Sequence, residues 1–280
     1  MVLVQSLVIG SLYALIAIGF TLIFGVGGVF NLAHGAFITI GAYIAWLIVN
    51  ARGFSPWLGL LGGAVGTALL AGTLYYTVVR RIQEERTTVI VLTLIIAFMV
   101  IFLLFKIAPL DFVLPSLVGG TLQIGDSYIQ RNIALVFVLS WSIIIPLYAF
   151  INLTRTGKAI QAVSMNERGS IIVGIDPVRI NLVTWILAGA LAGAAGVFIS
   201  MQYGGGIDMG WTPMVISFAI VILGGLGSIK GSVIGAYVLS TVEVLTIQVS
   251  PQLTGVSSLV ILIIVLVVKP NGLFGRGVDA

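Results

Sequence analysis

The chain has 280 residues, 59% of them hydrophobic and only 8% charged, against roughly 25% charged in an ordinary soluble domain. So apolar a chain cannot cover its surface with polar groups in water; its outside must face membrane lipid, and at about 20 residues per crossing the length allows roughly eight to ten passes. The absence of cysteine excludes disulfides and thiolate chemistry, and one histidine cannot build a zinc or haem site unaided, so no metal or other cofactor is expected; the net charge of +4 is read as a record of membrane orientation and not as a nucleic-acid footprint.

In chain order, apolar stretches run Val4 to Val26, Gly35 to Val49, Trp57 to Val79, Thr87 to Phe105, Asn132 to Ile151, Ile180 to Tyr203, Thr212 to Leu226, Ser232 to Val249 and Val256 to Val268. They predict an all-α polytopic membrane protein with about nine apolar segments, some of them broken or partial helices. No basic residue precedes the first stretch, and it outruns the short core of a signal peptide, so it is expected to stay as a helix. Gly35 to Val49 and Val256 to Val268 fall short of the 17 or so residues that span hydrocarbon comfortably. Gly25, Gly27 and Gly28, just ahead of Asn31, make the first of these the stronger candidate for a break. Irregular backbone at membrane depth survives only inside protein or along a watery path, so such a break points to a translocation route.

Asn152 to Arg179 is the long polar stretch. A helix is expected from about Thr156, with Ile160, Val163 and Ile171 or Ile172 on its apolar side, and Gly174 followed by Asp176-Pro177 ends it before the next crossing. The residues leave two readings open: a working cytoplasmic helix, or a connecting loop that rests on the bilayer surface. With the N-terminus outside, Arg80, Arg81, Arg86, Arg155, Lys158, Arg168, Arg179, Lys230, Lys269 and Arg276 face the cytoplasm, and Arg52, Lys106 and Arg131 face out. Ten against three selects that orientation, with the C-terminus cytoplasmic.

Three candidate features carry polar chemistry. Asn31 and His34 occupy the glycine-rich junction Phe30-Asn31-Leu32-Ala33-His34-Gly35; they either cap a helix near the interface or line a transport path, binding a polar solute without permanent charge. Glu243 lies well inside an apolar stretch. It is either a structural, hydrogen-bonded acid or, if it couples protons, the mark of a secondary transporter, though no second intramembrane carboxylate is there to relay the proton. Gly62 and Gly66, Gly189 and Gly193, and Gly231 and Gly235 are each four residues apart, so each pair lines one helix face and admits a close neighbour. Enzymatic signatures are missing: Gly157-Lys158 lacks both the earlier glycine and the Ser/Thr of a phosphate-binding loop, and there is no G-x-S-x-G elbow.

Several stretches, spread in order over nearly the whole chain, resemble the LivH-type permeases of branched-chain amino acid ABC importers. They are Gly27-Gly28-Val29-Phe30-Asn31-Leu32-Ala33-His34-Gly35 with Gly41-Ala42-Tyr43, Arg155-Thr156-Gly157-Lys158-Ala159 with Gly174-Ile175-Asp176, Leu223-Gly224-Gly225-Leu226-Gly227-Ser228, and Lys269-Pro270-Asn271-Gly272-Leu273-Phe274-Gly275. The resemblance implies a single permease domain over 1–280 in the plasma membrane of a prokaryote, without enzymatic activity of its own. It implies four kinds of partner: a LivM-like second permease, two cytoplasmic ATPase subunits, an extracytoplasmic solute-binding protein and the surrounding lipid. It also makes 153–179 the segment that couples to the ATPases, through Gly157, Lys158, Ala162, Asn166, Glu167 and Gly174. Glu167-Arg168-Gly169 departs from the relatives' pattern of an acidic residue before two alanines. Without clustered charge at mid-membrane, no tight site for a zwitterion is expected in the permease, and selectivity would reside mainly in the binding protein. Urea and short amides are alternative solutes for permeases of this type.

Overall fold

A computed structural model describes residues 2–83, 85–124, 127–253, 255–269 and 272–274. Arg276 and the Pro270, Asn271 and Gly275 of the closing motif lie outside the described residues.

The chain opens with α1 (Val2–Gly27) and α2 (His34–Trp46), which a π-helical turn continues to Ala51. Next come α3 (Pro56–Leu74), a second π turn, Tyr75–Val79, the single turn α4 (Arg80–Ile82), and α5 (Arg86–Ile107). A short β1 (Asp111–Phe112) and the hairpin β2 (Thr121–Ile124) with β3 (Ser127–Gln130) lead to α6 (Arg131–Leu153). The polar stretch forms α7 (Arg155–Met165) and α8 (Glu167–Ile172). After it come α9 (Pro177–Tyr203), β4 (Gly205–Gly206), α10 (Trp211–Gly224), α11 (Ile229–Val249) and α12 (Val256–Val268). β1 pairs antiparallel with β4, Asp111 opposite Gly206, which ties the end of α5 to the end of α9.

Among the described residues seven helices are long and apolar enough to cross a bilayer: Val2–Gly27, His34–Ala51, Pro56–Ile82, Arg86–Ile107, Arg131–Leu153, Pro177–Tyr203 and Ile229–Val249. Trp211–Gly224 and Val256–Val268 are shorter apolar helices. The second apolar stretch is therefore not itself broken. It runs continuously from His34 to Ala51, because the π turn lengthens it, and the irregular backbone lies before it, from Gly28 to Ala33. The seventh stretch, read as a full segment, is only 14 residues of helix. That rises about 21 Å, short of the roughly 30 Å hydrocarbon core.

Small residues explain the packing. α1 and α9 form the core, buried almost without interruption over Ser11–Ile23 and Ala188–Ser200. A methyl on Gly63 of α3 would lie 2.7 Å from the Gly41 carbonyl of α2, and one on Gly41 would run into Gly193 of α9, so three backbones meet where only glycine fits. Gly189 faces Thr67 and Ala71 of α3, and Gly231 and Gly235 of α11 face Gly224 and Ile220 of α10. Gly62 and Gly66 instead accommodate side chains, those of Ile48 and Ile44. α5 buries a single stripe, Val89, Thr93 and Ala97, and leaves the rest of its apolar surface outward, as a lipid-facing helix must.

Candidate functional site

Asn31 and His34 stand at the start of α2, and the start of α2 is deep. His34 Nε2 is 3.1 Å from the carbonyl oxygen of Ile16, eleven residues before α1 ends at Gly27, or about 16 Å along the axis. Between these levels the chain climbs from Gly28, beside the Arg86 guanidinium, through Leu32, whose N–H donates to Thr93 Oγ1 at 3.1 Å. The Asn31 Oδ1 accepts from the Ala33 N–H at 3.0 Å, pinning its amide at the first turn of the helix. Both side chains are buried, and Asn31 Nδ2 and His34 Nδ1 have no hydrogen-bond partner.

α10 begins at the same depth. Its N-cap residue, Gly210, donates its N–H to Thr39 Oγ1 at 3.1 Å, and Thr39 in turn bonds the Gly35 carbonyl. A methyl on Gly35 would stand 2.9 Å from the Gly210 carbonyl. The N-termini of two helices thus meet inside the bilayer. Beside them Phe30 stacks on Phe24 at 4.6 Å and meets Phe218 edge-on at 5.0 Å, and Phe20 stands edge-on to His34 at 5.7 Å. Phe24, Phe30 and Phe218 are half-buried, leaving one side of the cluster open.

Glu243 belongs to a different constellation. It is buried, and its carboxylate accepts from the Gly255 N–H at 2.7 Å, Ser257 Oγ at 2.7 Å and Ser258 Oγ at 3.2 Å, all at the start of α12. The pairings Thr21 with Ser232 and Ser6 with Ser240 run α1 and α11 antiparallel, so Glu243 lies near the Val2 end of α1, well away from Ile16 and His34. The geometry is that of an anchor: an acid on α11 caps the positive end of α12.

On the opposite face, the turn from α6 into α7 is tightly built. Thr154 Oγ1 accepts from the Gly157 N–H at 3.0 Å, Gln161 Nε2 donates to the Ile151 carbonyl at 3.0 Å, and any Cβ at Gly157 would collide with the carbonyls of Phe150 and Ile151. Asn166, extended at φ −158°, ends α7 and caps α8 through Gly169, while Asp176 caps α9. Lys158 and Glu167 are exposed, Ala162 is half-buried, and Gly174 takes φ +83°. Ile160 and Val163 face inward as expected, but Ile171 and Ile172 do not join them. The break at Asn166 resets the helical phase, so Ile171, Ile172 and Val173 project outward beside the exposed Met165 at the end of α7, with Ile172 86% exposed.

Sequence reasoning missed three features. The aromatic cluster takes Phe218 from a distant helix, Thr93 and Arg86 reach the re-entrant segment from α5, and a cleft of about 450 Å³ on the β-strand face is lined by Asp111, Tyr203, Asp208 and bare glycine backbone. Only the run Gly204-Gly205-Gly206 hinted at the last.

Long apolar helices packed through glycine, two helices that start inside the bilayer and a capped polar hairpin on one face define a polytopic membrane transport protein. The chain matches the family described as branched-chain amino acid transport system / permease component over residues 2–268, and it belongs to that family. It is 31% identical to the high-affinity branched-chain amino acid transport system permease protein LivH of Escherichia coli (strain K12), over 97% of this chain and 94% of that protein. It is 30% identical to the corresponding permease protein BraD of Pseudomonas aeruginosa, over 98% of this chain and 95% of that protein. Among solved structures, PsaBC from Streptococcus pneumoniae in complex with Fab shares the fold, with a TM-score of 0.51 at 12% identity over 95% of this chain and 91% of that one. The resemblance to LivH-type permeases therefore holds over nearly the full chain, and neither an enzyme nor a proton-coupled secondary transporter is favoured.

Proposed function

We propose that this chain is the transmembrane permease subunit of an ATP-driven importer of branched-chain amino acids in the plasma membrane of a prokaryote. It acts as one domain, 1–280, with a LivM-like second permease, two cytoplasmic ATPases that hydrolyse the ATP, and an extracytoplasmic binding protein that delivers the solute. Relatives named for branched-chain amino acid transport support the cargo. Charge supports an orientation with that face cytoplasmic and the Val2 end of α1 external: nine of the twelve described lysines and arginines lie on the face that carries α7 and α8.

The observation that carries the coupling role is the outward ridge on α7–α8. Ile171, Ile172 and Val173 are largely exposed on a segment held rigidly by Gly157 against α6 and by the Asp176 cap against α9. Such side chains on a water-facing hairpin fit a partner's apolar groove, and the rigid mounting would carry motion from that partner into the bundle. In this reading Gly157, Ala162, Asn166 and Gly174 shape the hairpin, Lys158 and Glu167 face the ATPase, and Asn31 and His34 border the path. Membrane vesicles carrying the four-part importer test it: Ile172→Asp is expected to abolish ATP-dependent leucine uptake while the permease keeps its thermal stability. Uptake that persists in this variant, or without ATP, refutes the reading.

A further inference from the structure

Three observations converge at the start of α2. First, the N-termini of α2 and α10 meet there at mid-depth, where Gly35 and Gly210 touch and Gly210 bonds Thr39. Helix N-termini carry unpaired N–H groups and partial positive charge, and they favour an anion, most of all where water is scarce; with Gly210 and Trp211 bonded to Thr39 and Asp208 and Pro213 lacking an N–H, the open groups here are those of Gly35 and Ala36 on α2 and Thr212 on α10. Second, two buried side chains present unused polar atoms at this spot. Asn31 spends its Oδ1 on the Ala33 N–H and keeps Nδ2 without a partner, a spare donor. His34 must donate from Nε2, because the Ile16 carbonyl can only accept, and so its unpartnered Nδ1 is a bare acceptor. Third, the half-open cluster of Phe24 on α1, Phe218 on α10 and Phe30 lies alongside, and Phe30 belongs to an irregular segment that lipid alone cannot cover.

We propose that this corner is a transit site for an aliphatic α-amino acid: its carboxylate at the paired helix N-termini and the Asn31 amide, its ammonium group on His34 Nδ1, and its side chain against the phenylalanine cluster. The proposal rests on the importer reading and adds to it a place where the permease itself touches the zwitterion. No charged side chain enters the site, so binding is weak and the solute is not trapped there. That agrees with a permease that leaves tight selection to a binding protein. Arg86, beside Gly28 at the cytoplasmic end of the segment, draws the carboxylate onward.

Asn31→Asp is the discriminating variant. The aspartate keeps the oxygen that accepts from the Ala33 N–H, and the N-terminus of α2 offsets part of the cost of burying its charge, so the melting temperature separates a structural loss from a loss of substrate binding. A site for the substrate carboxylate does not tolerate the change, because the only donor lost is replaced by like charge. In vesicles with the assembled importer and saturating binding protein, leucine uptake is expected to fall roughly tenfold or more in N31D, with subunit assembly and melting temperature unchanged. Full uptake in N31D overturns the transit site. A wild-type importer that moves no leucine overturns the importer reading instead, so the two failures are distinguishable. Should N31D not assemble, hydrogen exchange on the wild-type complex decides. Millimolar leucine and 4-methylpentanoate, which both carry the carboxylate, are expected to slow exchange at the first turn of α2, and isoamylamine, which lacks it, is not. Equal protection by all three, or by none, overturns the proposal.

Discussion

Removing the Glu243 side chain is expected to destabilise the protein by about 3 kcal/mol, chiefly by releasing α12. The carboxylate accepts from one backbone N–H and two serine hydroxyls in a site that is 1% exposed. Hydrogen bonds to a charged group are each worth roughly 1.5–3 kcal/mol in soluble proteins, which sets an upper bound well above the expected value. Polar contacts within bilayers measure lower, about 0.6–1.7 kcal/mol each, because the opened state finds other partners. Three such contacts give roughly 2–5 kcal/mol. Serine hydroxyls can turn to nearby carbonyls, but the Gly255 N–H cannot, so a middle value is appropriate. For a chain of this size Glu243→Ala is then expected to lower the melting temperature by about 6–12 °C, and hydrogen exchange is expected to localise the loss to 255–268. Glu243→Gln keeps one acceptor oxygen and the shape, should lose about 1 kcal/mol, and is expected to leave ATP-dependent uptake nearly unchanged and insensitive to protonophore. An E243Q protein that melts normally yet transports nothing would refute the anchoring role and reinstate proton coupling.

Gly193→Ala drives a methyl to 2.5 Å from the Gly63 carbonyl and should cost about 1–3 kcal/mol by overpacking, whereas Gly119→Ala, with open space around it, should change the melting temperature little. Trp141→Phe removes the donor that reaches Tyr237 OH at 2.8 Å and is expected to cost about 1 kcal/mol, read as a shift in thermal unfolding that Tyr237→Phe does not deepen. Gly157→Ala pushes α7 off the end of α6, and Gly196→Ala pushes α9 off the Ile38 carbonyl of α2. Both should lower leucine uptake more than ATP hydrolysis, so that more ATP is spent per solute. A proportionate fall in both activities refutes a coupling role for these contacts.

Much of this was legible in the residues, for local reasons. The seven long helices follow from unbroken apolar runs, and the Asp176-Pro177 start of α9 from side chains that satisfy backbone N–H groups a few positions away. Asn31, His34 and Glu243 stood out because polar groups among apolar ones must be explained. What stayed hidden was depth and phase. A bilayer helix is apolar on every side, so periodicity does not say where in the membrane it begins; the depth of α2 is set by the bond from His34 to Ile16, and that of α10 by Gly35 and Thr39. Likewise the outward turn of Ile171 and Ile172 depends on one extended residue, Asn166, whose capping of Gly169 competes with continuing the helix.

These contacts also explain how a pull on the hairpin could reach a site some two dozen residues away. α8 ends at Ile172, and Val173, Gly174 and Ile175 alone separate it from the Asp176 cap of α9, so a pull on the hairpin is passed to the first turn of α9 over a short connection. α9 is a continuous helix of 27 residues without an internal proline after its first turn, and it transmits displacement along its axis. Farther along, Gly189, Gly193 and Gly196 let it touch α3 and α2 backbone to backbone, and such contacts slide or separate as units because no flexible side chain lies between to absorb a shift. α2 is therefore carried by α9, and with it go His34 and the first turn. The α10 partner of that turn is held across the junction by Gly210 and Thr39. A displacement of α9 along its axis would therefore reach the junction of the two N-termini, where Gly35 and Gly210 touch, both through α2 and through the short connection from Tyr203 to Gly210.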